Sequence, residues 1–269
     1  MLATIGSAAP EGSGWIFEPK YDGIRVLAFV AGDAVALITR NGYDKARQFP
    51  EVVEALREFG RDAGTPAVLD GEIVALEKGK IVRFEHLQGR MHLQDDAAIG
   101  RLAKSSPVAF VVFDLLLEGS ETLVHSTLTT RRKRLESLLE GRTNETLRIS
   151  ETDTDADALL QRARRQGWEG IIAKRASSKY RPGERSRDWL KLKLENRQEF
   201  VIGGWTEPRK SRPYLGAILL GYYDADGKLV YAGHTGTGFR QQTLEELHRR
   251  LKPLERKTPP FSTRPHTNE

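Results

Sequence analysis

Lysine, arginine and carboxylate side chains stand in this chain where apolar ones would be expected. The stretch Glu18-Pro19-Lys20-Tyr21-Asp22-Gly23-Ile24-Arg25 sets a lysine before an Asp-Gly turn and an arginine five residues on, inside an apolar, aromatic-flanked segment. Arg40, Glu72, Asp114, Glu169, Lys174, Lys191 and Lys193 also lie within or beside segments apolar enough to be buried. A buried charge without a partner is costly, so these groups are expected to meet one another or a ligand. Lys20, Arg25, Lys174, Lys191 and Lys193, with Arg40 as a further cation, outnumber Glu72, Asp114 and Glu169. A cleft so lined is net positive and suits a polyphosphate, with one or two Mg²⁺ ions on the carboxylates. A desolvated lysine among cations is expected to lose its proton more easily and act as a nucleophile, and the α-phosphorus of a nucleotide is a reasonable target.

The surrounding sequence must bring these residues to one place. Trp15 to Arg40 reads as successive strands joined by Asp-Gly and Gly-Asp turns. Glu51 to Phe59 has helical spacing, and Ala67 to Leu76 and Val108 to Leu117 read as buried strands. Thr129 to Leu139 and Asp153 to Gln166 read as helices opened by Thr and Asp caps, the second ending at Gly167. "EGIIAKR" (Glu169 to Arg175) and "DWLKLKL" (Asp188 to Leu194) follow as strands, the second alternating leucine with lysine so that one face is apolar and the other cationic.

After Glu195 the segments shorten. Strands are expected at Phe200 to Trp205, Leu215 to Tyr222 and Leu229 to Gly233, then a helix from Gln241 to Leu251, all suggesting a small β-barrel. The expected plan is a domain over residues 1–195, a boundary near Asn196 and a second domain over 196–269, with an extended tail from about 256.

Composition narrows the class. Hydrophobic residues at 39% and charged residues at 29% fit a folded globular protein and exclude a disordered one. Lys and Arg, 42 against 37 Asp and Glu, leave +5, which permits a phosphate-rich partner without demanding one. With no cysteine, disulfides and thiolate zinc sites are excluded and a reducing cytoplasm is expected. The first residues lack a basic region followed by an apolar core, and no long uninterrupted apolar run exists, so neither export nor a membrane span is expected. The histidines show no metal-ligand spacing, and "GHTGTGF" (Gly233 to Phe239) departs from phosphate-loop spacing and reads as a turn.

"KYDGIR", "TRNG" (Thr39 to Gly42), "LDGEI" (Leu69 to Ile73), "VVFDLL" (Val111 to Leu116), "EGIIAKR" and "WLKLK" (Trp189 to Lys193) occur in the order of the covalent nucleotidyltransferase motifs of ATP-dependent DNA ligases. One such motif alone is weak; this ordered set is strong. The resemblance runs to about Leu254 and is best to the ligase module of bacterial ligase D proteins of non-homologous end joining. It implies an α+β nucleotidyltransferase (adenylation) domain, with mixed and antiparallel sheets, followed by an OB-fold β-barrel. It implies that Lys20 forms the lysyl-AMP adduct from ATP, that Glu18 contacts the adenine amino group, and that Arg25 and Arg40 hold phosphate or ribose oxygens. Glu72 would take the ribose hydroxyl or a metal contact, Phe113 would stack on adenine, and Glu169 would orient Mg²⁺ or Mn²⁺. Lys191 and Lys193, joined by Lys174, would neutralise the phosphate.

The resemblance further implies nicked double-stranded DNA as substrate, a monomer, no membrane, and Ku with polymerase and nuclease domains as end-joining partners. The family's sixth motif, a basic Arg-x-Asp-Lys element, is not found, and the strands after Asn196 are too few for the fold, so the barrel is expected to be incomplete. Three other readings share these features: a capping guanylyltransferase, an RNA ligase, and a non-catalytic nucleic-acid-binding module.

Overall fold

Between Ile24 and Ala31 burial alternates: Ile24, Val26, Ala28 and Val30 are covered, while Phe29 and Ala31 face outward. That period of two is what a sheet packed on one face requires. The computed structural model describes residues 1–194, 199–208, 213–263 and Pro265, and the chain divides into two units, Met1–Leu194 and Glu195–Glu269. The expected boundary at Asn196 lies outside the described residues.

The first unit begins with strands β1 (Leu2–Ile5), β2 (Trp15–Pro19), β3 (Ile24–Ala31) and β4 (Ala34–Thr39). Helix α1 (Pro50–Ala63), β5 (Ala67–Glu77), β6 (Lys80–Ile81), α2 (Glu85–Gln88) and α3 (Asp96–Ser105) follow. Next come β7 (Val108–Glu118), β8 (Glu121–Thr122), α4 (Leu128–Leu139), β9 (Leu147–Ile149), α5 (Ala156–Gln166), β10 (Gly170–Arg175) and β11 (Arg185–Lys193). They build two sheets. The smaller runs β1-β11-β10-β2; the larger runs β4-β3-β5-β7-β8, with β6 added on β5 and β9 on β7. The class is therefore α+β, with antiparallel pairing throughout except β1 on β11 and β9 on β7.

Helix α1 carries Val52, Leu56 and Phe59, each at most 2% exposed, against β3 and β4, and forms the main core with Leu135 of α4 and Phe110 of β7. Helix α5 covers the outer face of the smaller sheet through Leu159 and Ala163, which meet Phe17, Ile171, Ala173 and Leu192. The sequence expectation starts α5 at Asp153. The cap is Asp155, which accepts from the amides of Asp157 and Ala158, while Asp153 pairs its backbone with Phe17 instead. Similarly, α4 is capped by Thr127 and not Thr129. Strands β1 and β9 and helix α3 are absent from the sequence expectation; β1 and β9 are short, and β1 is held by partners at the far end of the chain.

The inner faces of the sheets meet through Met1, Phe113, Leu116, Tyr180 and Trp189. A local irregularity makes this possible. Where β7 pairs with β5, the register skips Leu116 and then Phe113, because Leu69 faces Leu115 and Gly71 faces Val112. Bulges redirect side chains, and both skipped residues join the cluster between the sheets. The site described below opens in that same space.

In the second unit β12 (Val201–Trp205), β13 (Ile218–Tyr223) and β14 (Leu229–Thr235) form an antiparallel sheet, and α6 (Gln241–Leu251) packs Leu244 against Leu215 and Ile218. Among the described residues these three strands are fewer than the five of an OB barrel. In the described part of the tail, Phe261 is 9% exposed and bridges Leu229, and the Ser262 amide donates to the Leu229 carbonyl at 2.8 Å. Gly203 makes room for it, since a Cβ there would lie 2.2 Å from the Phe261 ring. Among the described residues no helix is long and apolar enough to cross a membrane.

Candidate active site

Lys20 follows the end of β2, where its backbone amide donates to the Gly170 carbonyl at 2.9 Å and fixes it beside the start of β10. The Asp-Gly that follows has a steric reason: a Cβ on Gly23 would stand 2.1 Å from the Ile73 carbonyl oxygen. Gly170 is needed too, at φ +149° with Leu192 O 2.1 Å from any Cβ, and it places Glu169 at the mouth of the two strands. The Lys20 ammonium donates to Glu169 Oε2, and Lys193 Nζ lies 2.8 Å from Oε1 of the same carboxylate. Burial pushes the Glu169 carboxyl up, but hydrogen bonds from Lys193 and Lys20 outweigh it and hold the group below the usual range. Lys20 thus shares a carboxylate with Lys193, which corrects the expectation of a lysine set chiefly among cations.

A cavity of about 780 Å³ opens between the two sheets, lined by Glu18, Lys20, Arg25, Arg40, Glu72, Phe113, Lys174 and Lys191 among the residues singled out from sequence. Glu169 and Lys193 are outside that lining and reach it through Lys20. Strand register explains the grouping. Glu18 on β2 faces Ile172 on β10, which faces Lys191 on β11, so alternate residues of three strands share the inner face. Arg25 on β3 faces Glu72 on β5 in the opposite sheet. Arg40 is exposed at the rim, and Lys191 is half-buried.

Arg25 is fully engaged by protein groups. Its Nε and Nη2 donate to the two oxygens of Asp70 at 2.9 and 2.6 Å, and Nη1 donates to the Met1 carbonyl at 2.7 Å. Tyr180 also donates to Asp70, at 2.7 Å. Burial pushes the Asp70 carboxyl up, and the Arg25 charge and hydrogen bonds more than reverse this, holding it low. Glu72 behaves oppositely: burial pushes its carboxyl up to about 8, with Arg25 and Lys20 opposing only in part. Asp70, Tyr180 and Trp189 also line the cavity and are missing from the sequence reading. Asp70 is two residues before Glu72, so period-two alternation alone could have found it; Tyr180, in the loop before β11, has no such signal.

Lys174 lies beside Phe113 and Trp189, whereas Lys193 pairs with Glu169. Lys174 Nζ is 2.8 Å from Glu18 Oε1, with both side chains 3% exposed, and it stands 4.3 Å from the Phe113 ring centre and 4.4 Å from that of Trp189. The sequence reading groups Lys174 with Lys191 and Lys193; its ion pair in the structure is with Glu18. Phe113, 8% exposed, meets Trp189 edge-on with centres 6.2 Å apart. Asp114 is corrected as well: it is absent from the cavity lining and forms a completely buried two-bond pair with Arg131 of α4, at 2.7 and 2.8 Å. Among the described residues no three His, Cys, Asp or Glu side chains gather as a metal cluster. A Mg²⁺ ion here would therefore draw most of its ligands from phosphate and water, as that ion commonly does.

Sequence and structure comparisons point one way. Residues 1–193 match the family model of the ATP dependent DNA ligase domain, and residues 211–269 that of the ATP dependent DNA ligase C terminal region. The multifunctional non-homologous end joining protein LigD of Pseudomonas aeruginosa is 39% identical over the whole chain, which spans 31% of that relative's length. DNA ligase C1 of Mycolicibacterium smegmatis is 34% identical over 94% of the chain and 72% of its own length. A solved mycobacterial DNA ligase D complexed with ATP and MES superposes with a TM-score of 0.63 at 34% identity, covering 98% of this chain and 81% of that one. The α+β unit is an adenylation domain and the three-stranded unit belongs to an OB-fold region. By these matches and by its ordered motifs, the chain belongs to the ATP-dependent DNA ligase family.

Proposed function

We propose that this chain seals 5′-phosphate/3′-hydroxyl nicks in duplex DNA, as the ligase module of a bacterial end-joining system. The observation that carries the reading is the placement of Lys20 on the wall of a cavity lined by both cationic and aromatic side chains. Lys20 Nζ attacks the α-phosphorus of ATP, forming the N–P bond as the bond to pyrophosphate breaks. Attack needs the free amine, and the Glu169 oxygen that accepts from Nζ is the base placed to take its proton.

Lys191 and Lys193 face the charge that builds on the phosphoryl oxygens, while Arg40 at the rim meets the departing pyrophosphate. Arg25, clamped by Asp70, orders the ribose side of the cavity together with Glu72. Glu18 meets the adenine amino group, and Phe113 supplies an apolar wall for the base. A divalent ion held by Glu169, Glu72 and phosphate oxygens would supply further charge neutralisation. AMP then passes from Lys20 to a DNA 5′-phosphate, and the neighbouring 3′-hydroxyl displaces it to close the strand. Ku and polymerase or nuclease domains are the partners this reading assigns, by analogy with the end-joining relatives.

Intact mass before and after incubation with ATP and Mg²⁺ tests the reading. An AMP adduct is expected on the parent chain and not on Lys20→Ala. An adduct that survives in Lys20→Ala would overturn the assignment of the nucleophile.

A further inference from the structure

Tyr180 sits on the loop that joins β10 to β11 of the smaller sheet, yet its side chain ends on the larger one. Its hydroxyl donates to Asp70 Oδ2 on β5 at 2.7 Å, and Arg25 Nη2 on β3 donates to that hydroxyl at 3.4 Å. Arg25 Nη2 also donates to the same Asp70 oxygen at 2.6 Å, so phenol, guanidinium and carboxylate close a triangle that spans both walls of the cavity. Burial and the Asp70 charge push the Tyr180 hydroxyl well above its ordinary range, so it remains a donor at working pH.

The phenol is braced on its own side. Its ring is 6% exposed and meets Trp189 edge-on with centres 6.0 Å apart, and its backbone amide donates to the Val124 carbonyl at 2.9 Å. Two residues earlier the Ser178 carbonyl accepts from the Leu128 amide at 2.8 Å. Beyond Tyr180 the same loop supplies Pro182 and Gly183 to the cavity lining. One side chain therefore holds the rim loop and the Arg25–Asp70 fork in a single arrangement. A binding group ordered before its ligand arrives spares the complex the cost of ordering it.

Resting on the adenylation reading above, we propose that Tyr180 is a positioning residue for ATP: acting through Asp70, it fixes Arg25 and the rim loop before the nucleotide enters. It takes no part in bond making at Lys20. Its loss weakens the capture of ATP and leaves the chemical step intact.

The test follows single-turnover adduct formation over a range of ATP concentrations, with calorimetric ATP binding and thermal midpoints alongside. The proteins are the parent, Tyr180→Phe, Asp70→Ala and the double variant, all at a temperature where Asp70→Ala is folded. Tyr180→Phe keeps the packed ring and removes only the hydroxyl. It is expected to raise half-saturating ATP about tenfold, the scale of one hydrogen bond to a charged group, with the maximal rate within about threefold of the parent. In the Asp70→Ala background the same change should shift half-saturation by less than about twofold, because residues that act through one another do not add. If Asp70→Ala does not fold, the single variant decides. A lowered midpoint with parental ATP dependence would reduce Tyr180 to a structural role and overturn the proposal. So would a fall in maximal rate at unchanged half-saturation, or an equal rise in half-saturation in both backgrounds. If the parent forms no adduct, the ligase reading fails separately, and ATP binding to the same proteins decides the role of Tyr180 by the same ratios.

Discussion

The Arg25 guanidinium closes on the Asp70 carboxylate through two parallel hydrogen bonds of 2.9 and 2.6 Å, joining β3 to β5 beneath the cavity. Asp70 is completely buried, so its end of this fork is little screened by solvent. Removing one partner of such a pair costs about 3–5 kcal/mol, because the other charge stays buried. Asp70→Ala should therefore lower the thermal midpoint strongly, and Asp70→Asn less. The carboxyl is held below its ordinary range in the folded protein, so its contribution is present above the unfolded value and fades as pH falls through the folded one. Thermal unfolding across acidic pH should show a slope in the parent that flattens in Asp70→Asn.

Glu72 has the opposite sign. Its folded carboxyl titrates near 8 against an ordinary 4.5, so in metal-free buffer the folded state binds the extra proton across that window. Stability should fall as pH rises from 4.5 to about 8, because the proton favours the folded state only while it is bound. Glu72→Gln, which copies the neutral form, should remove this slope and gain on the parent at high pH. Denaturant unfolding at several pH values would show it; parallel curves for the two proteins would contradict the burial argument.

Glu169 and Lys193 should separate in their effects. Glu169→Gln removes the acceptor of Lys20 and is expected to slow adduct formation about a hundredfold, the usual scale for one electrostatic catalytic group. Lys193→Ala breaks a half-exposed pair that contributes only about 0–1 kcal/mol, so folding should be unaffected and any loss should appear in the rate. Single-turnover adduct kinetics with thermal midpoints alongside would distinguish the two. Equal rate losses in both variants would argue against Glu169 as the proton acceptor.

Asp114 should matter for stability alone. Its bidentate partner Arg131 is 0% exposed, as is Asp114 itself, and neither lines the cavity. Asp114→Ala should cost about 3–5 kcal/mol, measured by denaturant unfolding, while adduct formation at a permissive temperature stays near the parental rate. A selective loss of activity with unchanged stability would return Asp114 to the site.

The proposed nucleophile, its glycine turn and most of the cavity wall were legible in the chain because their causes are local. Asp-Gly after Lys20, Gly170 after Glu169 and the leucine–lysine alternation of β11 each encode a turn or a face by residue type and period. The Asp70 clamp was nearly legible, since it shares the period of Glu72.

What remained hidden depended on residues far apart in sequence. Asp114 and Glu72 both look like carboxylates in apolar strands, but Asp114 meets Arg131 from α4 and Glu72 does not. Two bulges in β7 turn Phe113 and Leu116 into the space between the sheets, a register choice made by pairing with β5. Lys174 reads as one more phosphate-binding cation until the fold seats it on Glu18, 156 positions earlier, between two aromatic rings. Outside the β7 bulges, sequence determined which side chains face inward, because alternation is a property of one strand. Only the tertiary structure decided which charges neutralise each other and which stay free for a substrate, because pairing is a property of two.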